Sequence, residues 1–431
     1  MAADSKIPLE KGRHIKYWQR CHKTFLPHQY TSHDSTRMAL TFFILAALDI
    51  LSPSDSPAEH LLTAADRANA RRFVLGLQHP DGGFCGSPNH ALPTELYAGW
   101  DFEKNAPKAR HSSSANVAAT YFSLLVLAIV ADGPEGAKTA FVGVDRVKTL
   151  RWLKRLQRSD GSFGELVLDD GQIQGGTDMR LCYLAAMIRW TLRGDMKEGD
   201  EDWVEDIDVE ALIGHIRRGQ TYDGGLAGSS QHESHAGYAY CAVSALYLLD
   251  RPNEQGTTPH RSATIEKGLV NVPLLVKFLA YRQFQYLEPD EDSDDPDTAN
   301  FALPETLDQL SLDDNSRLVG FNGRCNKVAD TCYCWWVGGT LQMLGQVDLI
   351  DEEPSRRFLM SKTQHLIGGF SKYPGGPPDI YHAYLGLAAL ATMGDSALKP
   401  FDSSLCVTQE TISKIEIARK ALEASARTIK E

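Results

Sequence analysis

One stretch of the chain, Gly320 to Trp336 (GFNGRCNKVADTCYCWW), concentrates residue types that do chemistry. Two cations, Arg324 and Lys327, stand three apart. A carboxylate, Asp330, and a thiol, Cys332, follow two apart, and then come Tyr333 and Trp336. Thiolate, carboxylate and imidazole are all good zinc ligands, and His382 offers the third of these types. Asp330 and Cys332 cannot share a face of a regular helix, but at a helix start the first can cap while the second lies in the first turn. Three protein ligands leave a fourth position open, which is the pattern of a catalytic rather than a structural zinc. Each residue also has a plainer reading: Asp330 as an ordinary N-cap, Cys332 as buried filler, His382 as a hydrogen-bonded core histidine.

Arg324, Lys327, His235 and Tyr333 make a candidate anion site, since arginine grips an oxyanion as a fork and lysine as a point charge. Lys372 is a further cation, in a Phe370-Ser-Lys-Tyr run just before His382. The plainer reading of Arg324 and Lys327 is a pair of solvated loop charges. Cys332 and Trp336 are four apart and share a helix face; Arg180 and Tyr183, and His235 and Tyr238, are three apart, with Cys241 deeper. Polar residues at helix starts with aromatic residues below them describe an apolar tunnel under a polar mouth. A zinc–thiol site, an anion site and such a tunnel fit one reaction, in which a zinc-bound thiolate attacks an allylic carbon and diphosphate leaves.

The elements that must position these groups repeat. The phrase Gln-x-x-x-Gly-(Gly or Ser)-(Phe or Leu) occurs at Gln78, Gln157, Gln220 and Gln364, and Gly320-Phe321 resembles a degenerate fifth copy. A helical pattern precedes each clear copy, and a more apolar helix follows, beginning near His111, Asp178, His235, Asp330 and Asp379. The glycine is expected to end the first helix with a positive φ. One such pair cannot bury its apolar face, so copies must stack. Closed on itself the stack is an α/α toroid with a central cavity; left open it is a solenoid. In the closed form the apolar second helices make the inner ring, and their positive ends converge where an anion would sit.

With 431 residues the chain exceeds one simple core. A net charge of −12 argues against nucleic acid as the main partner. Met1 to Arg20 lacks the apolar segment of a secretory signal. The longest apolar runs, Met38–Leu48 and Leu124–Ala131, are too short to span a bilayer, so no stable membrane insertion is expected. Eight cysteines scattered through apolar helical patterns suit reduced thiols and a cytoplasmic location. The predicted organisation is N-terminal helices over 1–60, a repeat-built barrel over 61–405 with an acidic loop insertion at 286–300, and a closing helix over 406–431. Arg251–Ser262 reads as a second, polar insertion.

The motifs Gly-Arg-Cys-Asn-Lys (323–327), Asp-Thr-Cys-Tyr-x-x-Trp (330–336) and Asp-x-x-His-Ala-Tyr (379–384), with Glu-Ser-His-Ala-Gly (233–237) and Asp-Met-Arg (178–180), resemble the β subunits of protein prenyltransferases. The resemblance is best to the type I protein geranylgeranyltransferases and runs from about His14 to about Gly394. It implies an all-α fold, an α/α toroid (α6–α6 barrel) of prenyltransferase repeats around a central apolar cavity. It implies one zinc on Asp330, Cys332 and His382, and diphosphate held by His235, Arg324, Lys327 and Tyr333. Gly237, Cys241, Tyr183 and Trp336 would line the isoprenoid tunnel, with Ala236, Cys325, Asn326, Cys334 and Trp335 in the same runs. Arg180 would lie near the C-terminal end of the peptide.

The substrates implied are geranylgeranyl diphosphate and proteins, such as small GTPases, that end in a Cys-a-a-X box with X typically Leu. The partner implied is a prenyltransferase α subunit in an obligate heterodimer. Thr331 looks like the type I form, where farnesyl enzymes resemble this chain with glycine. Ala39 stands where farnesyl enzymes carry a bulky tryptophan, which leaves room for the longer chain. Lys372 stands where they carry a magnesium-binding carboxylate, so turnover without Mg²⁺ is expected. Cys325 departs from the proline of many type I members, and Asn116 from a histidine common in relatives; both bear on the choice of X. Rival readings are a farnesyltransferase β subunit, a Rab-type geranylgeranyltransferase β subunit, a terpene cyclase and a non-catalytic helical scaffold. The cyclase would need Asp292–Asp295 as its acid, but that run is hydrophilic and acidic.

Overall fold

A computed structural model describes residues 7–53, 59–90, 100–101, 106–107, 114–168, 170–194, 196–251, 262–287 and 317–428. Among them, helices alternate between two concentric layers. The outer layer holds α1 (Lys11–Lys23), α3 (Ala64–Leu75), α5 (Arg146–Arg155), α7 (Val209–Arg218), α9 (Val272–Ala280) and α11 (Glu352–Phe358). The inner layer holds α2 (Arg37–Leu51), α4 (Val117–Ile129), α6 (Met179–Arg193), α8 (Ala236–Leu249), α10 (Thr331–Met343) and α12 (Ile380–Thr392). The outer helices are amphipathic: α7 buries Leu212, Ile213, His215 and Ile216 while Arg217 and Arg218 stay exposed. The inner helices are apolar almost all round because they are covered on the outside by the first layer and on both flanks by one another. Each inner helix packs on the next, and α12 returns to α2. The stack is therefore a closed α/α toroid and not an open solenoid.

The repeated phrase is the fastener between repeats. In all four clear copies the glutamine forms an antiparallel bridge with the apolar residue six positions on: Gln78–Phe84, Gln157–Phe163, Gln220–Leu226 and Gln364–Phe370. Each glutamine side chain accepts the N–H of the residue that caps the next outer helix: Asp145 at 2.7 Å, Asp208 at 2.7 Å, Asn271 at 2.9 Å and, across the seam, Glu10 at 3.3 Å. The glycines do not end the first helices as their spacing suggested. They sit in the turn behind, with φ of 107°, 88°, 87° and 89° at Gly82, Gly161, Gly224 and Gly368. A Cβ there would meet the next outer helix at 2.4 Å (Lys148 O), 1.9 Å (Ala211 O), 2.5 Å (Leu274) and 2.3 Å (Arg13 O). Only glycine permits both the conformation and the approach.

The degenerate fifth copy is more complete than its glycine suggested. Gln283 pairs in register with Phe321, and its side-chain carbonyl accepts the Asp351 N–H at 2.8 Å, where Asp351 caps α11. The phrase is intact but interrupted between Gln283 and Phe321.

The starts of the inner helices share one end of the barrel. An N–H at the start of each, the second residue's in α2 and the first residue's in the others, donates to a loop carbonyl of the next repeat: Met38 to Gly86, Val117 to Glu165, Met179 to Gly228, Ala236 to Gly323 and Thr331 to Lys372, at 2.8 to 3.1 Å. At the seam Ile380 donates instead to the Tyr30 hydroxyl at 3.0 Å. The inner space is closed from below. The hydroxyls of Tyr240, Tyr121 and Tyr384 donate to the carbonyls of Ser403, Leu405 and Cys406 at 2.7, 3.4 and 2.6 Å. Buried ion pairs, Lys399 with Asp49 at 3.0 Å and Arg251 with Asp402 at 3.0 Å, hold that loop, and α13 (Gln409–Thr428) follows it against α4 and α6. The helix expected near His111 begins at Val117, capped by Asn116. His111 itself, the acidic run over 288–300, residues 252–261 and the last three residues lie outside the described residues.

Candidate metal centre and anion site

Asp330 is the N-cap of α10, and its Oδ1 accepts the Cys332 N–H at 2.8 Å. The cap fixes the carboxylate while leaving its other lone pairs free. Cys332 is the second residue of the helix and is buried. His382 is the third residue of α12, the neighbouring inner helix. One donor atom from each of Asp330, Cys332 and His382 lies within 4.8 Å of the other two. His382 Nε2 is 3.3 Å from Asp330 Oδ1. His382 Nδ1 is 2.7 Å from Asp379 Oδ2, and Asp379 also caps α12 through the His382 N–H at 2.9 Å. Asp379 thus orients the ring with Nε2 toward the other donors, the usual arrangement behind a metal-bound histidine. The sequence reading left Asp379 out of the site; its i, i+3 spacing to a histidine at a helix start was the signal.

The donor set fits zinc. Ligands at ~2.0–2.3 Å around a tetrahedral ion stand roughly 3.3–3.8 Å apart, so small side-chain rotations suffice. The protonation states complement this. Burial works against the His382 cation, but its bonds to Asp330 and Asp379 hold its pKa up at about 9. Burial, then the nearby Asp330 charge, pushes the Cys332 thiol well above its ordinary value. Burial opposes ionisation of Asp330 as well, yet its hydrogen bond to His382 keeps it below the ordinary carboxylate value. A histidine raised from 6.5 to about 9 stabilises the metal-free fold fully below pH 6.5, and loses that contribution as pH rises through 9. Metal capture requires neutral imidazole and thiolate and so releases both protons. Zinc affinity should therefore climb about 100-fold per pH unit between about pH 7 and 9, roughly tenfold for each proton. Chelator competition across that range measures it, and a flat profile would remove Cys332 and His382 from the ligand set.

The anion candidates gather at the same mouth. A Cβ on Gly323 would meet the Tyr333 ring at 2.4 Å, so glycine lets the ring lie across the loop. The Tyr333 hydroxyl is 3.0 Å from His235 Nε2, while His235 Nδ1 accepts the Gly237 N–H at 3.0 Å. Nδ1 being an acceptor, Nε2 carries the proton and donates to Tyr333, whose own proton is left for a ligand. Burial, with the Arg324 charge, lowers the His235 pKa and keeps the ring neutral. Arg324 is ion-paired with Glu233 on the same loop as His235. Lys327 and Lys372 are exposed, with Lys372 Nζ 4.0 Å from Asp330 Oδ2. Asn326 has φ 57°, which turns the loop back between Cys325 and Lys327, all three exposed.

Below the mouth, half-buried rings face the inner space. Trp336 Nε1 donates to the Tyr381 hydroxyl at 3.1 Å. Phe43 lies 5.8 Å from both Phe122 and Tyr381, and Ala39 is one turn above Phe43 on α2. Tyr183 and Cys241 are deeply buried, Tyr183 in the tyrosine cluster above the floor. Arg180 stands exposed at the rim, forked onto Asp178 at 2.9 and 3.0 Å. Ala236, Cys334 and Trp335 are packed in the helix layers instead, Trp335 against Tyr240 at 4.4 Å.

Among the described residues no helix is long and apolar enough to cross a membrane. Residues 9–407 match the model of the prenyltransferase alpha-alpha toroid domain. The chain is 30% identical over 403 residues to the geranylgeranyl transferase type-1 subunit beta of Arabidopsis thaliana, covering 91% of this chain and 87% of that one. It is 27% identical to the protein farnesyltransferase subunit beta of Pyricularia oryzae, covering 89% of this chain and 63% of that one. Among solved structures, the Candida albicans protein geranylgeranyltransferase-I complexed with GGPP superposes with a TM-score of 0.69 at 25% identity, covering 95% of this chain and 99% of that one. Closed ring, repeat fasteners and matched length agree: the chain belongs to the prenyltransferase alpha-alpha toroid family, and within it is similar to the β subunits of the type-1 geranylgeranyl transferases.

Proposed function

We propose that this chain is the catalytic β subunit of a zinc-dependent protein geranylgeranyltransferase type I. It moves a geranylgeranyl group from its diphosphate to the cysteine thiol of proteins ending in Cys-a-a-X, with X typically Leu. It works in the cytoplasm with a prenyltransferase α subunit. The convergence of Asp330, Cys332 and His382 donors within 4.8 Å carries the reading.

Asp330, Cys332 and His382 would hold zinc, which when bound supplies the positive charge that keeps the incoming thiol as thiolate near neutral pH. Arg324 and Lys327 bind diphosphate oxygens, and binding shifts Arg324 away from Glu233. Tyr333, with its oxygen already accepting from His235, donates its proton to the leaving group. Negative charge grows on that group as the allylic carbon–oxygen bond breaks, and each fixed donor there is worth ~3 kcal/mol. The aromatic wall around Trp336 and Tyr381 excludes water, so the thiolate and not hydroxide reaches the carbon.

Lys372 takes the place of a divalent cation over the diphosphate. Lys372→Asp should slow transfer without Mg²⁺ by ~10²-fold, the effect of one lost donor, and recover on adding it. A magnesium titration that leaves the variant unchanged would count against this role. The decisive assay co-expresses the chain with α subunits and offers both isoprenoid diphosphates with peptides ending in Leu, Met or Ser. Cys325 and the resemblance to the Pyricularia oryzae farnesyltransferase subunit favour farnesyl transfer as the second reading. Preference for farnesyl diphosphate and for peptides ending in Met or Ser would decide for it. One zinc per complex separates either enzyme from a scaffold.

A further inference from the structure

We infer that Cys325 is a site of reversible oxidation that closes the anion-binding loop, an inference resting on the diphosphate site proposed above. Cys325 is the one exposed cysteine of the eight; Cys21 is half-buried and the other six are buried. Beneath it lies Arg282, only 6% exposed. Arg282 Nη2 donates to the Cys325 sulfur at 3.4 Å and Nε to the Phe278 carbonyl at 3.3 Å, while Nη1 is buried with no partner among the described residues. A buried donor without an acceptor is expensive. The sulfur already accepts from the neighbouring Nη2 of the same fork, and an oxygen added to that sulfur would come within reach of the idle N–H. The thiol also sits between Arg324 and Lys327, open to solvent, in the kind of electropositive and accessible setting where cysteine acts as a nucleophile.

The chemistry closes with a peroxide and a small thiol. The Cys325 sulfur attacks one oxygen of hydrogen peroxide and the O–O bond breaks. Sulfur is oxidised by two electrons to the sulfenic acid, and the second oxygen leaves as water after taking up the thiol proton. Glutathione then displaces the sulfenic oxygen: an S–S bond forms, the S–O bond breaks and a second water leaves. Thiol–disulfide exchange with excess reductant restores the cysteine. The adduct adds a bulky, net negative tripeptide between Arg324 and Lys327, where it competes with diphosphate for the same cations.

The test uses the zinc-loaded complex with its α subunit. It is exposed to hydrogen peroxide with dimedone, which traps sulfenic acid, and each cysteine is followed by mass spectrometry. Cys325 should be trapped before Cys21 and the buried six. Peroxide with glutathione should then weaken geranylgeranyl diphosphate binding by more than about tenfold through like-charge repulsion, and dithiothreitol should restore it. In Cys325→Ser the affinity, whatever its starting value, should not change on the same treatment. Trapping of another cysteine first, or loss of binding in Cys325→Ser after oxidation, would overturn the assignment. The order of trapping is read from mass alone. A reduced complex that fails to bind the diphosphate therefore sinks the transferase reading, while the order of trapping still decides for or against Cys325.

Discussion

Cys332→Ala should empty the metal centre, from one zinc per chain to almost none, and slow transfer about 10³-fold, while the fold survives. The loss corresponds to about 4 kcal/mol of transition-state stabilisation, the upper range for one essential electrostatic group. The fold survives because little else depends on the sulfur. The bond that caps α10 uses the Cys332 backbone N–H, which alanine keeps. Asp330 and His382 stay paired at 3.3 Å without the thiol, since the imidazole proton compensates the carboxylate. The cavity left by one sulfur atom costs about 1 kcal/mol, which leaves a domain of this size folded. Cys334→Ala is the matched control. Cys334 is as buried as Cys332 but has no place among the converging donors, so its variant keeps its zinc. Metal analysis and single-turnover transfer, both on the complex with an α subunit, measure the pair. Unaltered turnover in Cys332→Ala would refute the metal assignment.

What could be read in the chain beforehand was whatever is local. The alternation of charged and apolar helices follows from spacing, and so do the caps, because a side chain two or three residues from the N–H it accepts has few other partners. Asp178, His235, Asp330 and Asp379 all occupy that position. What stayed hidden depends on contacts distant in sequence. Gln283 belongs to the repeat, but the chain between it and Phe321 breaks the phrase that a period search follows. The repeat glycines looked like helix ends because their reason, a backbone that an added Cβ would meet at 1.9 to 2.5 Å, belongs to another repeat. The floor of the barrel was invisible for the same cause: Tyr121, Tyr240 and Tyr384 look like ordinary apolar filling until their hydroxyls find the carbonyls of residues 403–406. Glu233 beside Arg324 carries no sequence signal, since an ion pair across 91 positions has no pattern.

Ala39→Trp should abolish the preference for the longer isoprenoid, a change of up to about 10³-fold in the ratio of kcat/KM. Ala39 is the third residue of α2, half-buried, and four positions before Phe43, so both point the same way. Phe43 packs on Phe122, Tyr381 and Tyr384, and Tyr381 in turn holds Trp336. An indole at position 39 would project above those rings into the space they border. The geranylgeranyl chain is one five-carbon unit longer than farnesyl, and at about 0.8 kcal/mol per buried carbon that unit is worth ~4 kcal/mol. Filled by indole, the space no longer accepts the unit, and the advantage of the longer chain disappears at ~1.4 kcal/mol per tenfold. The shorter chain never uses that space and keeps its binding. Competition between the two diphosphates for the reconstituted complex measures the ratio. If the variant still prefers the longer chain, the ruler for isoprenoid length lies elsewhere, and the tyrosine cluster over residues 403–406 becomes the element to alter.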